Sequence, residues 1–424
     1  MWCIKDILAD DVTLEKLYEN MTTRVLSRRD MKKRAQQINC IFPEIAVAVK
    51  TEAEDSLKGL LLLPGSSKKS FVGNPPKWRQ NPYGNEEYVY ELNRMKHWLT
   101  LLEAYELTGE VKFCQKVKAE FEDWFATCAC PDYSLEKYRG DGPWRLLEVG
   151  IRGYLVLPLV FEYLIESQQM DINLFEKLIV SAWQHCTILY KFTLIFWPDS
   201  DHNHATMENL GLLALSSLIP EFKLAKIWQA HGLKELTRCI QNQVTLDGGQ
   251  IEGSPSYHNG SVYWFSLVVT FSQKYDFAVD KSYVKLLKKM FEYSVYGTRP
   301  CGGNTPWGDC HTHIETMALA AVSCYIAFKD ITYLQYAFNF YSKEAVFKEL
   351  SENIWFISDI KKLDEDLKKV EQETFSIDLP KMSWQRELKQ VFMRTGWSKD
   401  AISLMFSCRS PIQNGHAHMD VGGF

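Results

Sequence analysis

The most constraining feature of this 424-residue chain is a succession of long segments with helical periodicity, from about residue 86 to residue 350. Apolar residues recur there at three- and four-residue spacing, first in EYVYELNRMKHWLTLLEAYELTG, which ends at Gly109, a residue typical of helix C-termini. No short run in this region shows the clear alternation of a β-strand. Paired long helices joined by loops favour an α/α toroid, a mainly α fold in which an inner ring of helices is covered by an outer ring.

The pattern changes near residue 352. The segments NIWFISDI, VFMRTGW and AISLMFSCR are rich in β-branched and aromatic residues, and we predict that they form strands. The turn residues Ser398-Lys399-Asp400 predict a hairpin between the last two. Three strands with one exposed face make a poor independent domain. We therefore expect an α/α toroid domain over residues 1–350, followed over 351–424 by the beginning of a truncated antiparallel β-sandwich domain.

Charge and composition argue against some classes of function and favour others. A formal net charge of -5 argues against nucleic acid as a partner, which usually requires a basic face. No stretch reaches the roughly 18 apolar residues of a membrane span. Aromatic residues make up 13% of the chain, which suits stacking on sugar rings, although large helical cores also use them.

The cysteine content and the N-terminal sequence indicate the cellular compartment of the protein. The eleven cysteines are odd in number and scattered, which favours reduced thiols over a disulfide framework. The N-terminal MWCIKDILADD lacks the basic and apolar regions of a signal peptide. Both observations favour a cytoplasmic location, with a periplasmic or secreted one still open if a signal has been removed.

Three polar clusters contain five of the ten histidines, and histidine is well suited to proton transfer near neutral pH. They are WPDSDHNHATMEN, DGGQIEGSPSYHNG and NGHAHMD. Each alone has an ordinary explanation: Asn203 is typical of a helix N-cap, and Tyr257 of a packing residue. Their combination is what points to a site.

In this order the clusters resemble the heparinase II/III-like polysaccharide lyases. The resemblance rests on Asn203-His204, on Tyr257-His258 at the end of DGGQIEGSPSYH, and on GHAHMD, with support from NPYGNEEYVYELNR, PWRLLEVGIR and TPWGD. It covers roughly residues 75–424. It implies an α/α toroid followed by an antiparallel β-sandwich, and cleavage of a uronate-containing glycan, with heparan-sulfate-like polymers favoured.

The resemblance also implies catalytic roles. Asn203 and His204 would neutralise the uronate carboxylate as charge builds up in the transition state. Tyr257 would act as both base and acid on a glucuronate. On an iduronate, His416 would take the proton from the opposite face of the ring while Tyr257 acts as acid.

Further residues are candidates for substrate binding. The guanidinium groups of Arg94, Arg145 and Arg152 could bind carboxylate or sulfate. Pairing of Arg145 with Glu148, or of Arg152 with an acid of another helix, is an equally good interpretation. Trp78 and Tyr83 could stack on sugars, with core packing as the alternative. His258 and Glu252 complete the substrate-binding set.

No cofactor is expected for catalysis. In some relatives the second histidine of the HxHxD motif holds a structural ion. The resemblance therefore implies a zinc or calcium ion at His418, the matching residue of this chain. The set from Asp309 to His313 is a weaker metal candidate.

Two other functions stay open at this stage. A glycoside hydrolase on the same toroid would need two carboxylates across the cleft, for which Asp247 and Glu252 are candidates. A non-catalytic glycan-binding protein would bind the polymer without shortening it.

Overall fold

A computed structural model describes residues 4–27, 31–131, 135–140, 142–408, 416 and 418. The chain forms two compact units. Unit 1 comprises Met1–Pro198 and Met207–Glu235, and unit 2 comprises Asp199–Thr206 and Leu236–Phe424. Helices dominate both units, as the periodicity of the sequence predicts.

The described residues of unit 1 form helices and one pair of two-residue strands. In chain order these elements are α1 (Ile4–Ile7), α2 (Leu14–Leu26), α3 (Met31–Ile41), α4 (Pro43–Leu57), β1 (Leu60–Leu61), β2 (Ser70–Phe71), α5 (Glu86–Arg94), α6 (Lys96–Thr108), α7 (Lys112–Thr127), α8 (Leu135–Gly140), α9 (Leu146–Ile151), α10 (Leu157–Glu166) and α11 (Ile172–Phe196). A 3-10 turn, Gly142–Trp144, precedes α9, and a π-helical turn, Arg152–Val156, joins α9 to α10.

Two helices run from one unit into the other along the chain: α12 (Asn203–Leu218) and α13 (Ala225–Gln243). In the residues that the structure describes, the rest of unit 2 contains six further helices and a small sheet. These are α14 (Pro255–Tyr275), α15 (Lys281–Gly297), α16 (Met317–Phe328), α17 (Thr332–Phe340), α18 (Lys343–Glu352), α19 (Ile360–Gln372), β3 (Met382–Gln385), β4 (Gln390–Arg394) and β5 (Ser403–Ser407).

The segment EYVYELNRMKHWLTLLEAYELTG, predicted as one helix over residues 87–109, is divided in two. Met95 adopts a left-handed conformation (φ 59°) between α5 and α6, whereas the predicted end at Gly109 is correct, with φ 71°. The break is held by buried contacts of Asn93. Its carbonyl accepts a 2.7 Å hydrogen bond from Arg152, and its side chain donates to the carbonyl of Trp78. Such tertiary contacts do not alter the apolar periodicity of the sequence, so the break could not be predicted from it.

The small sheet lies entirely in unit 2. Its strands pair antiparallel in the order β3-β4-β5, and Phe392 packs with Tyr293, Trp307 and Leu388. The predicted hairpin is confirmed, since Val391 pairs with Phe406 and the amide of Ala401 bonds to the carbonyl of Ser398.

One strand prediction is wrong. NIWFISDI contains a 3-10 turn, Ile354–Phe356, and then enters α19. Ile354, Trp355 and Ile357 are buried there, and a short buried apolar run has the same appearance in a strand and in a turn. The first strand of this region begins at Met382, so the division at residue 350 remains a prediction.

Two properties of the described residues complete the fold. Each of the ten described cysteines is a free thiol, and Cys186, Cys239 and Cys324 are buried. Of the helices in the described ranges, none has both the length and the apolar character required to cross a membrane.

Glycines allow a backbone-to-backbone crossing in unit 1. A β-carbon at Gly211 of α12 would lie 2.5 Å from the carbonyl oxygen of Gly150 in α9. A β-carbon at Gly153 would in turn lie 2.9 Å from the α-carbon of Gly211. Only glycine permits this approach, because the obstructing atoms are backbone and cannot rotate away.

We therefore expect Gly211→Ala to lower the free energy of unfolding by about 1–3 kcal/mol, the usual cost of overpacking. Urea unfolding followed by circular dichroism measures the change. The control is Gly140→Ala in α8, where a β-carbon would meet no atom within 4 Å. Equal stabilities of the two variants would contradict this account of the crossing.

Candidate active site

Unit 2 brings together Asn203, Tyr257 and His416, which are far apart in the sequence. Asn203 is the first residue of α12, and Tyr257 lies in the first turn of α14. The rings of Tyr257 and His416 stack with centroids 3.5 Å apart and planes 14° apart. Glu252 links them to Asn203, since its carboxylate lies 3.7 Å from His416 Nε2 and accepts two hydrogen bonds from Asn203.

The position of Asn203 is fixed from two directions. Its backbone N–H donates to Glu252 Oε1 at 2.8 Å, and its side-chain Nδ2 donates to Glu252 Oε2 at 2.9 Å. The preceding loop is held by buried Gln243, whose amide donates to the carbonyls of Ser200 and His202, each at 2.9 Å. Asn203 is therefore held rigidly at the start of its helix.

The loop before α14 carries Glu252, which is only 2% exposed. Its own N–H donates to the side chain of Gln250 at 2.7 Å. Burial raises the pKa of the Glu252 carboxyl, and the hydrogen bonds from Asn203 and the nearby His416 oppose that rise. The Glu252 carboxylate thus accepts hydrogen bonds from residues within the site.

Asp309 orients the histidines on the other side of the cluster. Its carboxylate contacts His416 Nδ1 at 3.1 Å and His418 Nε2 at 2.6 Å, and its N–H donates to the carbonyl of His416. Hydrogen bonds from His416 and then His418 lower the pKa of Asp309. With Nδ1 engaged by a carboxylate, Nε2 of His416 is the nitrogen that faces Glu252.

A close approach of loops supports this arrangement. Gly308 has a positive φ of 60°, and a β-carbon there would lie 2.5 Å from the carbonyl oxygens of both Gly253 and His416. Immediately before α14, the hydroxyl of the N-cap residue Ser254 donates to the carbonyl of Asp309 at 2.7 Å. The three segments can therefore meet only if position 308 carries no side chain.

The remaining histidines of the clusters differ in environment. His202 Nδ1 accepts the N–H of His204, and their rings are 4.7 Å apart. Burial, and secondarily the charge of His416, lower the pKa of His202. Burial also lowers the pKa of His258 to about 4; its Nδ1 accepts the N–H of Gln250 and its Nε2 contacts the carbonyl of Met290. His258 thus packs the loop and has no free nitrogen for the predicted substrate contact.

Metal binding finds limited support in the geometry. His418 contacts Asp309, but within the ranges that the structure describes no group of three or more His, Cys, Asp or Glu side chains could hold a metal ion. Asp420, the last residue of the HxHxD pattern, lies outside those ranges. A zinc or calcium ion at His418 stays a prediction.

The predicted substrate-binding arginines lie in unit 1. Arg94 pairs with Glu91 at 2.5 Å and with Glu148 at 3.1 Å, and Arg145 also pairs with Glu148, at 3.2 Å. The pairing alternative for Arg145 is therefore the one observed. Arg152 is 0% exposed, so its guanidinium has a packing role instead of the predicted substrate contact.

The two residues of unit 1 that were predicted to stack on sugars differ in their exposure. Trp78 is buried and donates its indole N–H to Asp123 at 2.9 Å, which is the core-packing alternative. Tyr83 is 45% exposed and packs edge-on against Tyr88 at 5.6 Å, so its ring remains accessible to a ligand.

Comparison with known proteins decides the family. The family model described as "Heparinase II/III N-terminus" matches residues 28–336, well over half of the chain. This chain belongs to that family. The resemblance stated from the sequence motifs is thereby confirmed.

Two heparin-sulfate lyases are similar to this chain at low sequence identity. A heparin-sulfate lyase from Bacteroides stercoris is 23% identical over 257 residues, which covers 57% of this chain and 38% of the relative. A heparin-sulfate lyase from Pedobacter heparinus is 26% identical over 190 residues, covering 45% and 28% respectively. The chain thus spans less than two fifths of the length of these relatives.

Solved structures of the heparinase III type share the fold. A crystal structure of heparinase III matches 86% of this chain with a TM-score of 0.68, at 19% identity and 53% coverage of its own length. The heparan sulfate lyase HepC from Pedobacter heparinus matches 96% with a TM-score of 0.65, at 19% identity and 58% coverage. The mainly α fold class, an α/α toroid followed by antiparallel β structure, is confirmed.

Sequence reasoning missed one member of the cluster. The sequence indicates Asp309 only as a metal ligand, whereas in the structure it orients His416 and His418. The available signal was its place directly after Trp307-Gly308 in TPWGD, one of the segments that resembled this heparinase family.

A buried carboxyl of unit 1 makes stability depend on pH. Glu208 Oε1 accepts the indole N–H of Trp197 at 3.2 Å, and among the described residues its Oε2 has no hydrogen-bond partner. Burial raises its pKa from the ordinary 4.5 to about 8. The folded protein therefore retains a proton that the unfolded chain releases between these two pH values.

We expect Glu208 to reduce the free energy of unfolding progressively as pH rises from about 4.5 to about 8, with no further loss above that range. Glu208→Gln keeps the shape and removes the ionisation, so its stability relative to wild type should increase from pH 5 to pH 8. Urea unfolding at both pH values measures this, with Glu176→Gln on the exposed side of α11 as control. A constant difference between wild type and Glu208→Gln would refute the assignment.

Proposed function

We propose that this chain is the helical, catalytic part of a polysaccharide lyase that cleaves a heparan-sulfate-like glycosaminoglycan by β-elimination. The observation that carries the proposal is the cluster of Asn203, Tyr257 and His416 in unit 2. Membership of the heparinase II/III family and the names of the heparin-sulfate lyase relatives support the substrate class.

The reaction explains why these residue types are needed. β-Elimination breaks the C5–H bond of a uronate and the bond from C4 to its oxygen, forms a C4–C5 double bond and leaves the proton on the departing oxygen. The C5 proton is weakly acidic while the adjacent carboxylate is ionised. The enzyme must therefore stabilise the negative charge that accumulates on that carboxylate.

Asn203 is suited to this stabilisation. One hydrogen of its Nδ2 is engaged by Glu252, which leaves the second available to a substrate carboxylate. Its buried position at the start of α12 adds the positive end of the helix dipole. His204, next in the chain, is the second candidate donor.

Tyr257 is the candidate base and acid. A phenol has an ordinary pKa of about 10, so donor or positive groups must favour its phenolate. The imidazole of His416 stacks directly on it, and Asp309 fixes that imidazole by its Nδ1. The phenolate takes the proton from C5, and the resulting phenol returns it to the departing oxygen.

Replacing Tyr257 tests this assignment. We expect Tyr257→Phe to lower kcat by about 10²-fold or more, the range for loss of general acid–base catalysis. The ultraviolet absorbance of the unsaturated product measures the rate on heparan sulfate. Tyr190→Phe, a change at an exposed tyrosine of unit 1, should retain wild-type activity. Full activity of Tyr257→Phe would remove Tyr257 from the mechanism.

The stacked rings also bear on stereochemistry. A sugar attacked from both faces would have to lie between Tyr257 and His416, but their centroids are only 3.5 Å apart. Contacting rings leave no space for a pyranose. This geometry supports chemistry on one face, in which Tyr257 serves as both base and acid on a glucuronate.

We therefore expect oligosaccharides with glucuronate at the cleavage position to react about 10²-fold faster than matched iduronate oligosaccharides, whose C5 proton lies on the other face. Chromatography of the unsaturated products from defined substrates measures the ratio. Equal or faster cleavage of the iduronate series would show that the rings separate and that His416 acts from the opposite face.

A further inference from the structure

The carboxylate of Glu252 contacts three parts of the cluster but has no chemical step in the mechanism above. Its oxygens accept the backbone N–H and the side-chain Nδ2 of Asn203, and Oε2 lies 3.7 Å from His416 Nε2. Glu252 and Asn203 are 2% and 4% exposed. A carboxylate buried this deeply must make interactions that offset its desolvation.

We propose that Glu252 is a positioning residue, which sets the orientation of the Asn203 amide toward the substrate carboxylate. This inference rests on the proposed lyase function, and it replaces the substrate-binding role expected for Glu252 from the sequence. Glu252 acts on the reaction only through Asn203 and His416.

The first step of the argument concerns the backbone. The first N–H groups of a helix have no partner within the helix and require acceptors elsewhere. Glu252 Oε1 supplies one for Asn203 from a segment 49 residues away. A carboxylate is also favoured at the positive end of the helix dipole. Glu252 therefore fixes where α12 begins and hence where the Asn203 side chain emerges.

The second step concerns the amide. An asparagine side chain presents a donor end and an acceptor end, and rotation by half a turn exchanges them. An ionised carboxylate accepts hydrogen bonds but cannot donate them, so Glu252 Oε2 selects the Nδ2 end of Asn203. The remaining Nδ2 hydrogen then has a defined direction. Rotation of the amide would instead set Oδ1 against Glu252, with repulsion between the two oxygens.

The third step concerns charge. A negative group beside the substrate carboxylate would oppose binding unless its charge is compensated. The two N–H donors of Asn203 and the imidazole of His416 surround the Glu252 carboxylate and provide that compensation. Glu252 can thus orient the amide without presenting an unpaired charge to the substrate.

Glu252→Gln is the direct test. Glutamine has one acceptor oxygen where glutamate has two, and its NH2 group would oppose one of the two Asn203 donors. We expect kcat on heparan sulfate to fall by about 10- to 100-fold, less than or equal to the loss of a transition-state donor, with KM changed by less than about threefold. Glu252→Asp keeps the charge and both oxygens, so its kcat should lie between those of wild type and Glu252→Gln.

A spectroscopic measurement separates this role from the lyase proposal. In protein labelled with ¹⁵N-asparagine, the side-chain NH2 signals of Asn203 are identified by their loss in Asn203→Asp. We expect them to be displaced from the exposed asparagine signals in wild type and to move toward those signals in Glu252→Gln. Glu387→Gln is the matched control, because Glu387 also accepts a backbone N–H, that of Leu246 at 3.2 Å.

The outcomes are distinct. Moved Asn203 signals together with a fall in kcat support the proposal. Moved signals in a protein that releases no unsaturated product from any uronate polymer leave the positioning of Asn203 intact and overturn the lyase function. Unmoved signals, or a change in KM alone, overturn the role of Glu252. If Glu252→Gln fails to fold, the same signals in Glu252→Asp decide, because the shortened side chain cannot reach both donors at once.

Discussion

The candidate site depends on one buried carboxylate that accepts two hydrogen bonds from a single residue. Glu252 binds the backbone and the side chain of Asn203, and it approaches the ring that stacks on Tyr257. Removing a carboxylate from water is costly, and unit 2 offsets this cost with donors that belong to the site itself. The same hydrogen bonds therefore offset the burial of the Glu252 carboxylate and fix the geometry of the site.

The two units use buried carboxyl groups in different ways. In unit 2, Glu252 has hydrogen-bond donors at both oxygens. In unit 1, Glu208 is surrounded by few donors, and burial raises its pKa to about 8. Perturbed pKa values are common at functional sites, but structural networks produce them too. Geometry distinguishes the two carboxyls here better than the pKa does.

The helices could be predicted because apolar periodicity is a local signal that survives in a single sequence. The left-handed break at Met95 could not, because it depends on contacts that Asn93 makes with Trp78 and Arg152. The same limit explains the strand wrongly expected at NIWFISDI. Burial, which decides whether an apolar run forms a strand or a turn, is a property of the whole fold.

The site was accessible to sequence reasoning in part. Motif order pointed to Asn203, Tyr257 and His416, and the structure brings these three together. The orienting role of Asp309 could not be predicted, since its place in TPWGD indicates a segment of the site but not which histidines its carboxylate contacts. Arg152 and Trp78 were expected to meet substrate and are buried instead, because residue type shows what a side chain can bind but not whether it is accessible.

The π-helical turn at Arg152–Val156 determines how α9 is rotated about its axis relative to α10. A π turn accommodates one residue more than an α turn, so it shifts the phase between the helices on either side. Each residue corresponds to about 100° of helical rotation. Deleting one residue there would restore a regular α-helix but turn α9 by that angle relative to α10. Gly150 would then rotate away from Gly211, and bulky neighbours would face α12 in its place. The extra residue sets the angular phase that allows two backbones to touch.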